Sequence, residues 1–175
     1  MLVIRKAVPE DVPAILGMVR QLATYEREPD AVVATEADYL RDGFGESPAF
    51  HVLLAESDGT VIGLAFYFFS YSTWVGRRCL YLEDLFVAPA HRGAGAGRAL
   101  MRALAREALT NECRRFVWQV LDWNEPAIGF YERLGAKVMR EWLSVRLEGD
   151  ALARLAAEPP DRLLPREDAR PSDRC

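Results

Sequence analysis

Histidine and cysteine are scarce in this chain: two histidines (His51, His91) and three cysteines (Cys79, Cys113, Cys175) in 175 residues. The cysteines are odd in number and widely spaced, and no C-x-x-C occurs. That pattern speaks against a disulfide framework and against a zinc site, which gathers its ligands at short recurring spacings. The thiols are expected to stay reduced, in a cytoplasm. No charge of one sign dominates: 22 basic and 26 acidic residues are interspersed, for a net charge of −4. A protein that grips nucleic acid through its phosphates presents a basic face, so that class is excluded. Long apolar runs are missing too. Val61–Phe69 is far short of the ~20 residues a spanning helix needs, and it reads as a strand. The start, Met1-Leu-Val-Ile-Arg-Lys6, lacks the basic region and apolar stretch of a secretory leader. No membrane partner is expected.

With 50% hydrophobic residues the chain can bury one sizeable core. One domain is expected over residues 1–157, followed by a proline- and charge-rich tail over 158–175 whose composition predicts flexibility. A strand over 2–6 precedes a helix opened by Pro9-Glu10-Asp11 and ending near Arg27, with Ile15, Val19, Leu22 and Ala23 at helical spacing. A second helix is expected from Thr35, as N-cap, to Asp42, with Gly43 as its stop. Strands follow over 50–56, 60–71 and 78–87, the first two joined by Ser57-Asp58-Gly59, a strong hairpin turn. A helix carrying Leu100, Ala103, Leu104 and Ala108 leads to a strand over 115–121. Asn124 caps a helix that ends at Gly135, a last strand covers 142–148, and a short helix covers 150–157. A strand–helix–strand unit implies a parallel pair. The expected fold is therefore mixed α/β, a mostly antiparallel central sheet with helices on both faces and a central parallel strand pair.

The chemistry concentrates in one run, from Tyr81 through Glu83 and Asp84 to Arg98. An apolar strand enters a loop with glycine at 93, 95 and 97, and the loop opens into a helix. The unpaired N–H groups of a helix's first turn and the positive end of its dipole make an anion site. Glycine allows close backbone approach to the anion. A P-loop would end in Gly-Lys-Ser/Thr, but Gly97 is followed by Arg98-Ala99; a dinucleotide fingerprint would need G-x-G-x-x-G, and the spacing is wrong.

What remains, Arg92-Gly93-Ala94-Gly95-Ala96-Gly97, resembles the pyrophosphate loop of the GNAT N-acetyltransferases. The resemblance spans about residues 2–148. It is carried by Gln21–Glu26, Asp42–Gly45, Tyr81–Arg98 and Leu121–Gly135. Together these resemble the diamine (spermidine/spermine) acetyltransferase group, and Tyr71–Arg77 with Val120–Asn124 are most similar to its thialysine ε-N-acetyltransferase branch. The resemblance implies acetyl-CoA as donor, a primary amine as acceptor, direct attack in a ternary complex, no metal, and a homodimer. It implies that Leu85, Phe86 and Val87 run beside the pantetheine. The pyrophosphate would lie on Arg92, Gly93, Ala94, Gly95, Ala96, Gly97 and Arg98, with Asn124 and Pro126 close to the coenzyme. Tyr131 would protonate the leaving thiolate, and Glu83 would deprotonate or hold the amine. Tyr25 and Glu26 match amine-binding positions.

The residues themselves support such chemistry. An ammonium with a pKa near ~10.4 must lose a proton before it attacks, and a carboxylate can hold it and take that proton. Adjacent strand residues face opposite sides, so Glu83 and Asp84 can share the substrate only if a bulge intervenes. Trp74 and Trp142 are candidates to wall an amine channel by cation–π contact. Two departures bear on the acceptor. Ser72 stands where the polyamine enzyme has an acid, and Met139–Trp142 is shorter than the family segment. Both favour a lysine-like amine over a long polycation, with Arg77 or Arg140 as candidates for its carboxylate. The rival readings are a protein lysine or N-terminal acetyltransferase, and a non-catalytic CoA-binding module.

Overall fold

The computed structural model describes residues 1–158. The expected tail, from 159 onward, lies outside the described residues. The chain forms two compact units, divided after Asn124.

In the first unit, β1 (Leu2–Lys6), β2 (His51–Ser57), β3 (Thr60–Ser72), β4 (Arg77–Val87) and β5 (Arg115–Trp118) form one sheet in sequential order. The first three pairings are antiparallel, and β4 with β5 is parallel. The crossover that makes this pair parallel is α3 (Ala96–Thr110). Asp58 and Gly59, at φ 50° and 79°, form the tight turn expected between β2 and β3.

Period-two alternation divides the strand side chains between two helical layers. On one face Val52, Leu54, Leu64 and Phe86 pack with Ile15, Met18 and Leu22 of α1 (Val12–Tyr25). Leu53, of opposite parity to Val52 and Leu54, borders Ala99 and Ala103 of α3. Ile15, Leu54, Leu64, Leu80, Leu100 and Leu104 are all completely buried. At about 1.5–3 kcal/mol per buried side chain, these layers are the main source of stability. Arg5 anchors the start of α1 to the sheet. Its Nη1 and Nη2 donate to Asp11 at 2.6 and 2.8 Å, and its Nε to Glu56 at 2.8 Å.

Three expectations need correction here. Pro9–Asp11 form a 3-10 turn, and the α-helix begins at Val12. Gly43 lies inside α2 (Glu36–Phe44) rather than ending it; the helix closes at Gly45. Gly43 is required by space, since a Cβ there would collide with the Phe50 ring. Strand β5 stops at Trp118. Thr35 is the N-cap as expected, in a reciprocal box: its Oγ1 accepts from the Asp38 N–H and Asp38 accepts from the Thr35 N–H.

In the second unit, α4 (Glu125–Glu132) stops short of the expected end at Gly135, which closes the turn after it at φ 89°, and α5 (Gly149–Ala157) follows. The expected strand over 142–148 is not formed. Those residues have no regular structure, and Leu143 and Val145 are 87% and 93% exposed. Alternation makes a segment compatible with a strand, but does not by itself give the regular hydrogen-bond ladder that defines one. No described helix is long and apolar enough to cross a membrane.

Candidate active site

Strand β4 builds the site because its two edges end at different places. Against β3 it is paired from Arg77 to Val87, but against β5 only from Cys79 to Leu82. From Glu83 to Val87 no described strand covers the β5 side, so that backbone edge is open. The peptide joining Val87 to Ala88 fixes the direction. Its N–H donates to Ile62 O at 2.9 Å on the β3 side, and in a trans peptide the carbonyl points the other way. The Val87 oxygen therefore faces the open edge.

Beyond Val87 comes the glycine loop. Gly93 and Gly95 sit at φ 81° and 89°, conformations that side chains disfavour. Gly95 is the N-cap of α3, and the first bond of that helix runs from Ala99 N to Gly95 O. The N–H groups of Ala96, Gly97 and Arg98 are therefore the unpaired donors of the first turn. Gly93, Ala94, Gly95 and Arg98 are exposed. Open edge, loop and helix start are contiguous, an arrangement suited to an extended amide-bearing chain that ends in phosphates.

The bulge that would let both acids serve one side is present. Phe66 pairs with Asp84 and Tyr67 with Leu82, which leaves Glu83 as the extra residue of β4. Glu83 is exposed and Asp84 is half-buried. Burial, with Glu83 and then Glu26 as neighbouring charges, pushes the Asp84 carboxyl up to about 6. Burial also raises Glu26. The Tyr39 hydroxyl is raised by burial and by the charge of Asp84. Tyr39, Phe50 and Phe66 form an aromatic cluster beside these acids, with Phe50 stacked on Phe66 at 4.2 Å. Sequence reasoning had not assigned Tyr39 or Phe50 to the site. The available signal was the spacing of Tyr39 after the Thr35 cap, which sets the face of α2 on which it lies.

Tyr25, Asn124 and Arg92 also come together. The Tyr25 hydroxyl donates to Asn124 Oδ1 at 3.0 Å, and Asn124 is buried. Arg92 turns its guanidinium onto the Tyr25 ring (4.8 Å), while its Nε donates to Val87 O at 2.9 Å. Trp123, another residue not singled out from the sequence, packs beside Tyr25 at 6.1 Å and carries Arg27 over its ring at 4.4 Å.

One expected residue of the first unit stands apart from the acids. Trp74 is 81% exposed in the turn between β3 and β4. It is more than six strand residues from Glu83, or about 20 Å by strand rise. In the second unit, Tyr131 is buried on α4 beside Phe130 at 5.2 Å, Pro126 is exposed in the first turn of α4, and Trp142 is 66% exposed.

Comparison with known proteins identifies the family. Residues 17–136 match the acetyltransferase (GNAT) family. A thialysine N-epsilon-acetyltransferase of Sus scrofa is 42% identical over 166 residues, covering 89% of this chain and 97% of that protein. The Mus musculus protein of the same name is 43% identical over 164 residues, covering 87% and 96%. Among solved structures, an integron cassette protein from the mobile metagenome of V. cholerae matches with a TM-score of 0.76 at 31% identity, covering 89% of this chain and 98% of that one.

Proposed function

The chain belongs to the acetyltransferase (GNAT) family, and we propose that it moves the acetyl group of acetyl-CoA onto the primary amine of a small cationic molecule. The acceptor class is a thialysine- or lysine-like amino acid, with polyamines as the neighbouring class. The observation that carries this reading is the open edge of β4 over Glu83–Val87, running straight into the Gly93–Arg98 loop. The names of the relatives at 42% and 43% identity support the acceptor class. Ser72, where a polyamine enzyme has an acid, favours the shorter amine.

Acetyl-CoA, when bound, supplies the activated acyl carbon. Leu85 and Val87 turn their backbone groups to the open edge, where the pantetheine amides would lie, the Val87 oxygen being the one Arg92 already holds, while Phe86 between them faces β3; the first turn of α3 offers its N–H groups to the pyrophosphate. Asn124 and Pro126 border the same ligand. Glu83, exposed on the bulge, holds the ammonium. Asp84, at about 6, is ionised at neutral pH yet basic enough to take the ammonium's proton, directly or through water. The freed nitrogen attacks the acyl carbon, the C–N bond forms, and the C–S bond breaks. Tyr131 gives its hydroxyl proton to the departing sulfur. Glu26 and the aromatic cluster of Tyr39, Phe50 and Phe66 complete the acceptor channel. A homodimer in the cytoplasm belongs to the same reading, with the exposed Leu143 and Val145 as apolar surface for a second copy.

The test is CoA release from acetyl-CoA across thialysine, lysine, putrescine, spermidine, spermine and amino-terminal peptides. Thialysine or lysine should be preferred. A preference for spermine would replace the amino-acid acceptor by a polyamine. Turnover only with peptides, or none at all despite acetyl-CoA binding, would overturn the small-amine reading.

A further inference from the structure

Tyr25 matches an amine-binding position by resemblance, yet its hydroxyl is engaged inward. It donates to Asn124 Oδ1 at 3.0 Å, a bond that spans 99 residues of chain. One side of the ring carries Arg92, with Cζ 4.8 Å from the centroid. Trp123 packs against the same ring at 6.1 Å and 46°. Arg92 is itself tied to the open edge through Val87 O at 2.9 Å, and it also lies 5.8 Å from the Phe86 ring. One side chain thus touches two loops that flank the open edge, the glycine loop after β4 and the Leu121–Asn124 turn after β5. It stands at the last residue of α1, immediately before Glu26, whose carboxyl is partly enclosed and raised by burial.

We propose that Tyr25 is a positioning residue that couples the two substrate sites: it joins the donor loop, through Arg92 and Asn124, to the end of α1 that presents Glu26 to the amine. This rests on the acetyl-transfer reading given above. A cation over a ring and a partly buried hydroxyl bond are both directional, so they tie the position of each loop to the end of α1. A donor that orders Arg92 and the glycine loop also fixes Glu26. The amine then binds a preformed site, and by linkage the amine raises donor affinity by the same factor. Tyr25 touches neither reacting atom, so its loss separates affinity from turnover.

The experiment measures CoA affinity by calorimetry, alone and with saturating thialysine or spermidine, in the wild type, Tyr25→Phe and Tyr25→Leu. Steady-state kcat and KM are measured beside it. In the wild type, the amine should tighten CoA binding. Tyr25→Phe loses the hydroxyl bond but keeps the ring, and its CoA affinity should fall about fivefold. Tyr25→Leu loses both contacts, and its affinity should fall about tenfold or more, with the tightening by amine abolished. The fall in kcat/KM for the donor should exceed the fall in kcat at saturating donor and amine. Tyr25→Phe keeps the experiment decisive should the leucine variant melt early. The proposal is overturned if Tyr25→Phe raises only the amine KM and leaves CoA affinity untouched, because Tyr25 is then a plain amine contact. It is also overturned if the wild type shows no mutual tightening. A wild type that binds no CoA at all would instead overturn the acetyl-transfer reading, so the two failures are distinguishable.

Discussion

At the scale of single residues, Asp84 is the group whose behaviour can be read most directly. Its pKa is raised from 3.8 to about 6, so the folded chain binds that proton more tightly than the unfolded one. Below about pH 3.8 the group therefore costs the fold nothing. Its burden grows as pH rises toward 6 and is constant above. Asp84→Asn should be more stable than wild type at pH 8, by roughly 1–3 kcal/mol, since each tenfold change in proton affinity is worth about 1.4 kcal/mol. At pH 3 the two should not differ. Thermal melts across that range check this. The same substitution should remove the acidic limb of the kcat/KM profile, which in the wild type rises with pH through about 6. A rise that persists in the variant would transfer the proton step to another group. Tyr131→Phe should lower kcat by about a hundredfold or more with CoA affinity unchanged, if its hydroxyl serves the leaving sulfur. Rapid-quench kinetics beside calorimetry separate the two quantities, and full activity would remove Tyr131 from the mechanism.

At the scale of elements, two helical glycines give predictions of opposite sign. Gly17 is inside α1, and a Cβ there meets nothing within 4 Å. Gly17→Ala should stabilise the protein by about 0.5–1 kcal/mol, the helical preference of alanine over glycine. Gly43 in α2 gains the same preference, but its Cβ would enter the Phe50 ring, which is held on Phe66 at 4.2 Å and Tyr39 at 5.7 Å. Overpacking costs about 1–3 kcal/mol, so Gly43→Ala should lower stability on balance. Urea unfolding of both variants decides the pair, and a stabilised Gly43→Ala would mean that the ring yields. The same glycine marks what local reading could see. The Thr35 cap, the Asp58-Gly59 turn and the helix opening from the glycine loop were legible because each depends on backbone chemistry within a few residues. Gly43 looked like a helix stop from its neighbours, whereas its reason is a ring seven positions later in the chain. The strand expected over 142–148 was misread because alternation describes which way side chains face, and a segment can alternate without holding the regular ladder of a strand.

At the scale of the whole molecule, the layered sheet was legible from the strand–turn–helix order, and the donor loop from its glycines. A bulge was one of two alternatives that the adjacent acids Glu83 and Asp84 left open, and the pairing of β3 with β4 decides between them. The early end of β5, which opens the edge of β4, and the Arg92–Tyr25–Asn124 link had no sequence signal, since both join residues far apart in the chain. The exposed Leu143 and Val145 lead to an assembly prediction. Sedimentation should give twice the chain mass for the wild type, and Leu143→Asp with Val145→Asp should shift it toward one. A wild type that sediments as a single chain would remove the dimer from the proposed function. The uncovered stretch of β4 has one more consequence. A bare strand edge invites pairing by foreign chains and hence aggregation. Here the edge opens on an exposed carboxylate at a kink, Glu83, and its last carbonyl is occupied by Arg92. Those features deny another protein's strand the straight, vacant row of donors and acceptors it would need. The reaction surface can therefore stay open between turnovers without becoming adhesive.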